Sequence, residues 1–205
     1  MPTHLLLALA GFAFVASITP GPNNLMLLAS GVKFGFRRTI PHMLGIGVGF
    51  VVMLLVIGLG LGQLLLVEPR IYQALRIACL LYLMWLAWKI ARSGPVSVTE
   101  TDGRAEPLNF IGAALFQWVN PKAWAMCLTA TTAYTVAANY IPSLLIAALV
   151  FGLINLPSVS VWTLFGVGLR RYLQDPLRVR VFNFAMAALL LLSVLPIFFE
   201  TGTGG

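Results

Sequence analysis

The sequence predicts an all-α, polytopic membrane protein: six transmembrane helices arranged as two inverted three-helix repeats, with helices 1 and 4 broken near the bilayer midplane. Three observations predict it. Of the 205 residues, 60% are apolar and only 9% are Asp, Glu, Lys or Arg, against roughly 25% charged residues in an ordinary soluble domain. The apolar residues gather into six runs, each near or beyond the roughly 20 residues that a spanning helix requires. No run alternates with a period of two over its length, so a β-barrel is disfavoured and a helical bundle is expected. Thirteen basic and six acidic side chains cannot clothe a soluble globule. A cytosolic enzyme, a secreted disulfide scaffold and a disordered chain are thereby excluded.

Segment one runs from Leu5 to Val32, segment two from His42 to Val67 and segment three from Ile71 to Ile90. Segment four covers Leu108 to Tyr134, segment five Ile141 to Gly168 and segment six Val181 to Phe199. Residues 1–205 read as a single transmembrane domain, with repeat one at about 5–91, a polar cytoplasmic loop at 92–107 and repeat two at about 108–199. Segment one is not a cleavable signal peptide, because no positive region precedes it and it runs far beyond 15 apolar residues. The tail from Thr201 to Gly205 carries no signal.

The basic residues set the orientation. Lys33, Arg37 and Arg38 follow segment one. Lys89, Arg92 and Arg104 follow segment three, and Arg170, Arg171, Arg178 and Arg180 follow segment five. These ten residues would share one side, against Arg70 and Arg76 on the other. Both termini are therefore expected on the outer (periplasmic or extracellular) side, and the three basic loops in the cytoplasm. Trp85, Trp88, Lys89 and Arg92 read as an interfacial anchor. The net charge of +7 comes from small basic groups between apolar runs, which is no nucleic-acid footprint.

Segment one is interrupted by Ile18-Thr19-Pro20-Gly21-Pro22-Asn23-Asn24. Two prolines remove two backbone donors, and their rings clash with the carbonyls of Ala16 and Ile18. Segment four is interrupted by Gln117-Trp118-Val119-Asn120-Pro121-Lys122. Asn before Pro is a helix start, with Asn at the N-cap and Pro at the first helical position; Thr19-Pro20 can be read in the same way. Pro20 and Pro121 are 101 residues apart, half the chain, and that offset gives nine identities over residues 11 to 50, including Ile40-Pro41 on Ile141-Pro142. Three helices per half place the halves in opposite orientation. Inverted repeats with an interrupted helix in each half are a pattern of secondary transporters, whose substrate site lies where the breaks meet.

Beyond each break a half-helix begins near the midplane, and both N-termini face one central region with free N–H groups and positive dipole ends. Lys122 adds a full charge there, the only one deep in any segment. Burying it costs at least about 2.5 to 3.5 kcal/mol. Either backbone carbonyls freed by the break offset that cost, or the side chain snorkels toward the interface, or the ammonium receives an anion, most simply a substrate carboxylate. Thr19, Pro20, Gly21, Pro22, Asn23, Asn24, Gln117, Asn120, Pro121 and Lys122 are thus the candidate substrate-binding residues. Asn155 joins them from a third weakened stretch, Asn155-Leu156-Pro157-Ser158 with Ser160. Thr129, Thr131 and Thr132 also flank the second break. Gly45, Gly49, Gly58 and Gly62 stand at small-xxx-small spacing and should pack against another helix.

Thr19-Pro20-Gly21-Pro22-Asn23 together with Asn120-Pro121-Lys122-Ala123 resemble the paired signatures of the LysE/RhtB family of amino-acid exporters, over essentially the whole chain. The resemblance implies efflux of amino acids or close derivatives through the bacterial inner membrane, with secondary and often proton-linked coupling. Leu86-Ala87-Trp88-Lys89-Ile90 and the run from Thr19 to Asn24 look closest to members associated with cysteine and O-acetylserine export. With Lys122 and amides in place of carboxylates, a neutral or mildly polar substrate is expected. The partners this reading admits are a small amino acid, the bilayer, a coupling proton or ion and a second copy of the chain. No cofactor and no catalytic residue are expected. Two other classes stand beside it. A transmembrane thiol-redox protein would need Cys79 and Cys127 close enough for disulfide exchange. A transporter of another small solute or of metal ions would have only two histidines, both near segment ends, for soft-metal ligation.

Overall fold

The computed structural model of the chain describes residues 1–62, 69–92, 106–173 and 175–192, and among these residues it consists of helices and turns with no strand. Helix α1 is Thr3–Ile18 and α2 is Pro22–Phe34. Helix α3, Phe36–Val56, continues through one wide π turn at Ile57–Leu61. Helix α4 is Pro69–Ala91 and α5 is Phe110–Phe116, extended by a 3₁₀ turn at Gln117–Val119. Helix α6 is Pro121–Ala133, α7 is Tyr140–Leu169 and α8 is Pro176–Leu192.

Two stretches are long and apolar enough to cross a bilayer unaided: Phe36–Leu61, of 26 residues, and Ala137–Leu169, of 33. At 1.5 Å per residue the shorter reaches about 39 Å, beyond the roughly 30 Å hydrocarbon layer. The pair α1 and α2 qualifies as one broken span, bent by 51°. Ile77–Ala91 and Phe110–Val119 are apolar but shorter. The result is a multi-pass, all-helical membrane protein with two to three clear spans among the described residues, not a demonstrated set of six.

Helix starts differ from the edges of the apolar runs for identifiable reasons. Helix α3 begins at Phe36, six residues before His42, and carries Arg37 and Arg38 in its first turn. Hydropathy marks the part of a helix that suits lipid, not the helix itself. Gly35 makes the turn into α3 at φ 79°, a conformation that glycine adopts without steric cost. Helix α8 likewise begins at Pro176 rather than Val181, because Asp175 Oδ1 accepts from Leu177 N at 2.7 Å and Arg178 N at 3.2 Å. A carboxylate N-cap before a proline at the first helical position starts that helix ahead of the apolar residues. The expected ends of segments two and six, most of the 92–107 loop and the Thr201–Gly205 tail lie outside the described residues.

Packing brings distant parts of the chain together. Helix α2 lies along α7, α3 lies against α5 and α7, α1 against α7, and α4 pairs with α8. One apolar cluster joins Leu9, Phe50, Met53, Cys127, Leu144 and Phe151 from α1, α3, α6 and α7. A second joins Leu25, Leu28, Leu83, Phe116 and Leu190 from α2, α4, α5 and α8. The α2–α7 approach is very close: a Cβ on Gly31 would collide with the carbonyl of Thr163, and one on Gly166 with the carbonyl of Leu28. Gly45 and Gly49 meet α5 at Phe110 and Ala114, and Gly58 meets Leu144 of α7, as the small-residue spacing suggests. Gly62 instead faces Ile57 of its own segment. Lys89 Nζ lies 5.0 Å from the Trp85 ring centroid and the Arg92 guanidinium 4.7 Å from that of Trp88, pairing the four residues read as an anchor.

Because Gly31 faces backbone that cannot give way, Gly31→Val should cost more than about 2 kcal/mol through overpacking. Gly11→Val, where a new Cβ meets nothing within 4 Å, should leave the detergent-solubilised thermal midpoint within a degree or two. Equal midpoints for the two variants would contradict this packing.

Candidate functional site where the two breaks meet

The first break is a three-residue extended link. Both Thr19 and Gly21 precede a proline, which disfavours the α conformation at each. Thr19 sits at φ −65°, ψ 147° and Gly21 at φ −172°, ψ 176°. Thr19 therefore closes α1, with its N–H on the Val15 carbonyl, rather than capping the next helix. Pro22, not Pro20, takes the first position of α2, and Gly21 supplies no side-chain cap. The second break follows the sequence reading. The 3₁₀ turn ends at an extended Asn120, whose Oδ1 accepts from Lys122 N at 3.1 Å, and Pro121 opens α6. The expectation of free N–H groups at both half-helices is thus corrected. Asn120 satisfies the start of α6, and the uncapped N-terminus belongs to α2.

Lys122 bridges the breaks. Its Nζ donates to Thr19 O at 2.7 Å, Thr19 Oγ1 at 2.8 Å and Pro20 O at 3.3 Å. An ammonium has three N–H donors, and all three are used, so freed carbonyls offset the cost of the charge. Gly21 makes room for the stem: a Cβ there would lie 2.7 Å from Lys122 Cδ. A second bridge joins Asn23 to Gln117, whose amides exchange bonds of 2.8 and 3.2 Å, while Gln117 Nε2 also donates to Ala113 O at 2.9 Å.

A carbonyl freed in lipid must find a donor, and those of the first break do. Ala16 O accepts from Thr19 Oγ1 at 3.2 Å and Ser17 O from Asn24 Nδ2 at 2.8 Å. Ile18 O accepts from Trp162 Nε1 at 2.9 Å. Thr19 O receives Asn24 Nδ2 at 2.8 Å besides Lys122. The break is held open by side chains from α2, α6 and α7.

Beside these bonds lies a narrow, partly open cleft with an interior of about 20 Å³. Of the sequence-derived candidates, Gly21, Asn23, Asn24, Asn120, Lys122 and Asn155 line it. Thr19, Pro20, Pro22, Gln117 and Pro121 shape it without lining it. Thr131 and Thr132 instead bond carbonyls of their own helix, at Cys127 and Leu128, and Ser158 and Ser160 do the same at Ile154 and Leu156. Sequence reasoning missed Ser17, Phe50, Met126 and Val159 on the wall, and Trp162. An indole N–H mid-segment needs an acceptor, which was the available signal for Trp162. The other four show only apolar or helix-forming character in sequence. His42 is buried in α3, and no described residue bonds either ring nitrogen. Cys79 and Cys127 are free, buried thiols in different helices, and no group of three or more metal-ligating side chains occurs among the described residues.

The model of the family described as LysE type translocator matches residues 14–195. The chain belongs to the LysE family. Both breaks and Lys122 fall inside the matched span. Among curated relatives, the cysteine/O-acetylserine efflux protein of one Escherichia coli strain is 30% identical over 202 residues, 97% of this chain and all of the relative. The protein of that name from Klebsiella pneumoniae is 30% identical over 191 residues, covering 93% of this chain and 95% of its own. That of a second E. coli strain is 35% identical over 136 residues, 65% of this chain and 67% of its own. No solved structure matches. Members of this translocator family are transport proteins, not enzymes.

The Asn23–Gln117 pair makes a measurable claim. Asn23→Leu strands the amide oxygen of the buried Gln117 and should cost about 1 to 3 kcal/mol; Gln117→Leu, which strands the half-buried Asn23, should cost less on that account. The double replacement should cost less than the sum by about 1 kcal/mol, a coupling that a double-mutant cycle on thermal midpoints reads directly. Strict additivity would mean the amides do not meet.

Proposed function

We propose that the protein is a secondary transporter that exports small neutral amino acids or close derivatives through the bacterial inner membrane. In this reading it forms six spans in two inverted three-helix halves, with both termini periplasmic. The observation that carries it is the Lys122 ammonium, held where two broken helices meet, beside the uncapped N-terminus of α2 and facing a narrow cleft. A fixed cation and a free helix N-terminus together make a carboxylate receptor. The names of the curated relatives point to cysteine and O-acetylserine as first substrates to try.

The bond lengths suggest how binding moves the helices. The Pro20 carbonyl is the longest of the three Lys122 contacts, at 3.3 Å. A substrate carboxylate, a stronger acceptor for an ammonium, displaces it and loosens the tie between the breaks. Substrate thereby shifts the balance between two helix arrangements, as differential binding requires. Coupling then runs through a proton on Lys122 or His42, an ion held by carbonyls, or the substrate gradient alone. A second reading has a specific observation behind it: three satisfied N–H donors make Lys122 a structural tie only.

Lys122→Gln separates the two, since an amide still donates to Thr19 but carries no charge. With a panel of labelled amino acids in inside-out vesicles, with and without a pH gradient, Lys122→Gln should insert normally and transport at least about ten times more slowly, the worth of one charge-assisted contact. Transport at the parental rate would leave Lys122 as a tie and end the carboxylate-receptor reading.

A further inference from the structure

Two residues that line the cleft each carry a buried polar atom without the partner such atoms normally have. Ser17 Oγ in α1 and Asn155 Oδ1 in α7 are buried, their residues only 4% and 5% exposed, and no described residue bonds either atom. Both residues line the cleft. A serine this deep in a helix usually returns its hydroxyl to a carbonyl one turn back. Ser158, Ser160 and Thr163 do so, but Ser17 does not. A third residue adds to the set. Asn24, also on the wall, spends its Nδ2 on the carbonyls of Ser17 and Thr19, which leaves Oδ1 as the end of its amide open to a donor. Gly47 of α3 faces Asn155 without a side chain; a Cβ there would stand 3.8 Å from Oδ1. The oxygen thus lies toward α3, and a half-turn of the planar amide, which exchanges Oδ1 and Nδ2 with little change of shape, would bring it to the cleft.

We propose that Ser17, Asn24 and Asn155 form the receptor for the primary ammonium of an α-amino acid, the counterpart of the Lys122 and α2 end that takes its carboxylate. This inference rests on the transport reading above and extends it to the second charged group of the ligand. An ammonium brings three donors and no acceptor, and the three side chains offer a hydroxyl oxygen and two amide oxygens. Position agrees: the two charged groups of an α-amino acid share one carbon, so their receptors must adjoin. Ser17 and Asn24 are bonded to each other across the first break, directly beside Thr19 and Lys122. The rest of the wall, with Phe50, Met126 and Val159, suits an uncharged side chain. None of the lining residues is acidic, so a second cationic group on the ligand would meet Lys122 unopposed.

The test is binding to the purified full-length protein in lipid nanodiscs, with three probes: L-cysteine, 3-mercaptopropionate, which lacks the ammonium, and L-alanine, which lacks the thiol. The parent should bind L-cysteine at least tenfold more tightly than 3-mercaptopropionate. Asn155→Leu and Ser17→Ala should each weaken L-cysteine and L-alanine five- to tenfold and leave 3-mercaptopropionate unchanged. Asn155→Asp, which keeps an acceptor in place, should restore the preference for the ammonium. The proposal is overturned if the two variants weaken all three probes alike, if they weaken L-cysteine but not L-alanine, or if sodium alone stabilises the parent and not the variants. If the parent prefers neither zwitterion nor carboxylate, the transport reading itself fails first. If Lys122→Gln abolishes 3-mercaptopropionate binding while Asn155→Leu changes no probe, the carboxylate end stands and this ammonium site falls.

Discussion

A helix broken inside a lipid layer leaves carbonyls without donors, and an ammonium inside a lipid layer lacks acceptors. Each is costly alone. In this protein the two meet: Lys122 from the start of α6 rests on Thr19 and Pro20 at the end of α1. That contact joins positions about 100 residues apart and draws both breaks into one place. The remaining features depend on it. Gly21 is small because the lysine stem passes over it, and the Asn23–Gln117 pair lies along the same seam. The carbonyls of Ser17 and Ile18 are met by Asn24 and Trp162.

The two breaks are not copies of one another, and the difference has chemical consequences. Asn120 caps the half-helix it precedes; Thr19, the residue 101 positions earlier, does not, because two closely spaced prolines delay the start of α2. One half-helix is therefore closed and the other open. The lysine ammonium lies beside the open N-terminus, and Ser17, Asn24 and Asn155 border the same cleft. In the transport reading proposed above, a positive end and an acceptor end give the site the polarity of a zwitterion. The close backbone contact of α2 with α7, through Gly31 and Gly166, fixes the open half-helix relative to Asn155.

The residues themselves made much of this legible. Composition fixes the membrane class, since so few charges admit no other solvent. The prolines locate both breaks, Asn120-Pro121 announces its own cap, and a lone lysine among apolar residues marks the pocket. Three things were hidden. The edges of α3 and α8 follow capping and turn chemistry at Gly35 and Asp175 rather than hydropathy. The donor to the Ile18 carbonyl, Trp162, comes from α7; its indole N–H announced a need for an acceptor, but no local pattern named which one. Ser17 looks like any small helical residue until α2 and α7 close around it and leave its hydroxyl unmatched.

The most direct measurement of the junction is a short cross-link across it. In a background with Cys79→Ala and Cys127→Ala, Asn23→Cys and Gln117→Cys, whose parent amides meet at 2.8 Å and which leave Lys122 in place, would be introduced together, with a protease site between Arg92 and Glu106. Native membranes would be treated with a bifunctional thiol reagent of about 5 Å reach and then with protease. The two halves should remain joined in one covalent species, and single replacements should not join them. Halves that separate completely, under conditions where each thiol reacts with a monofunctional reagent, would contradict the meeting of the two breaks.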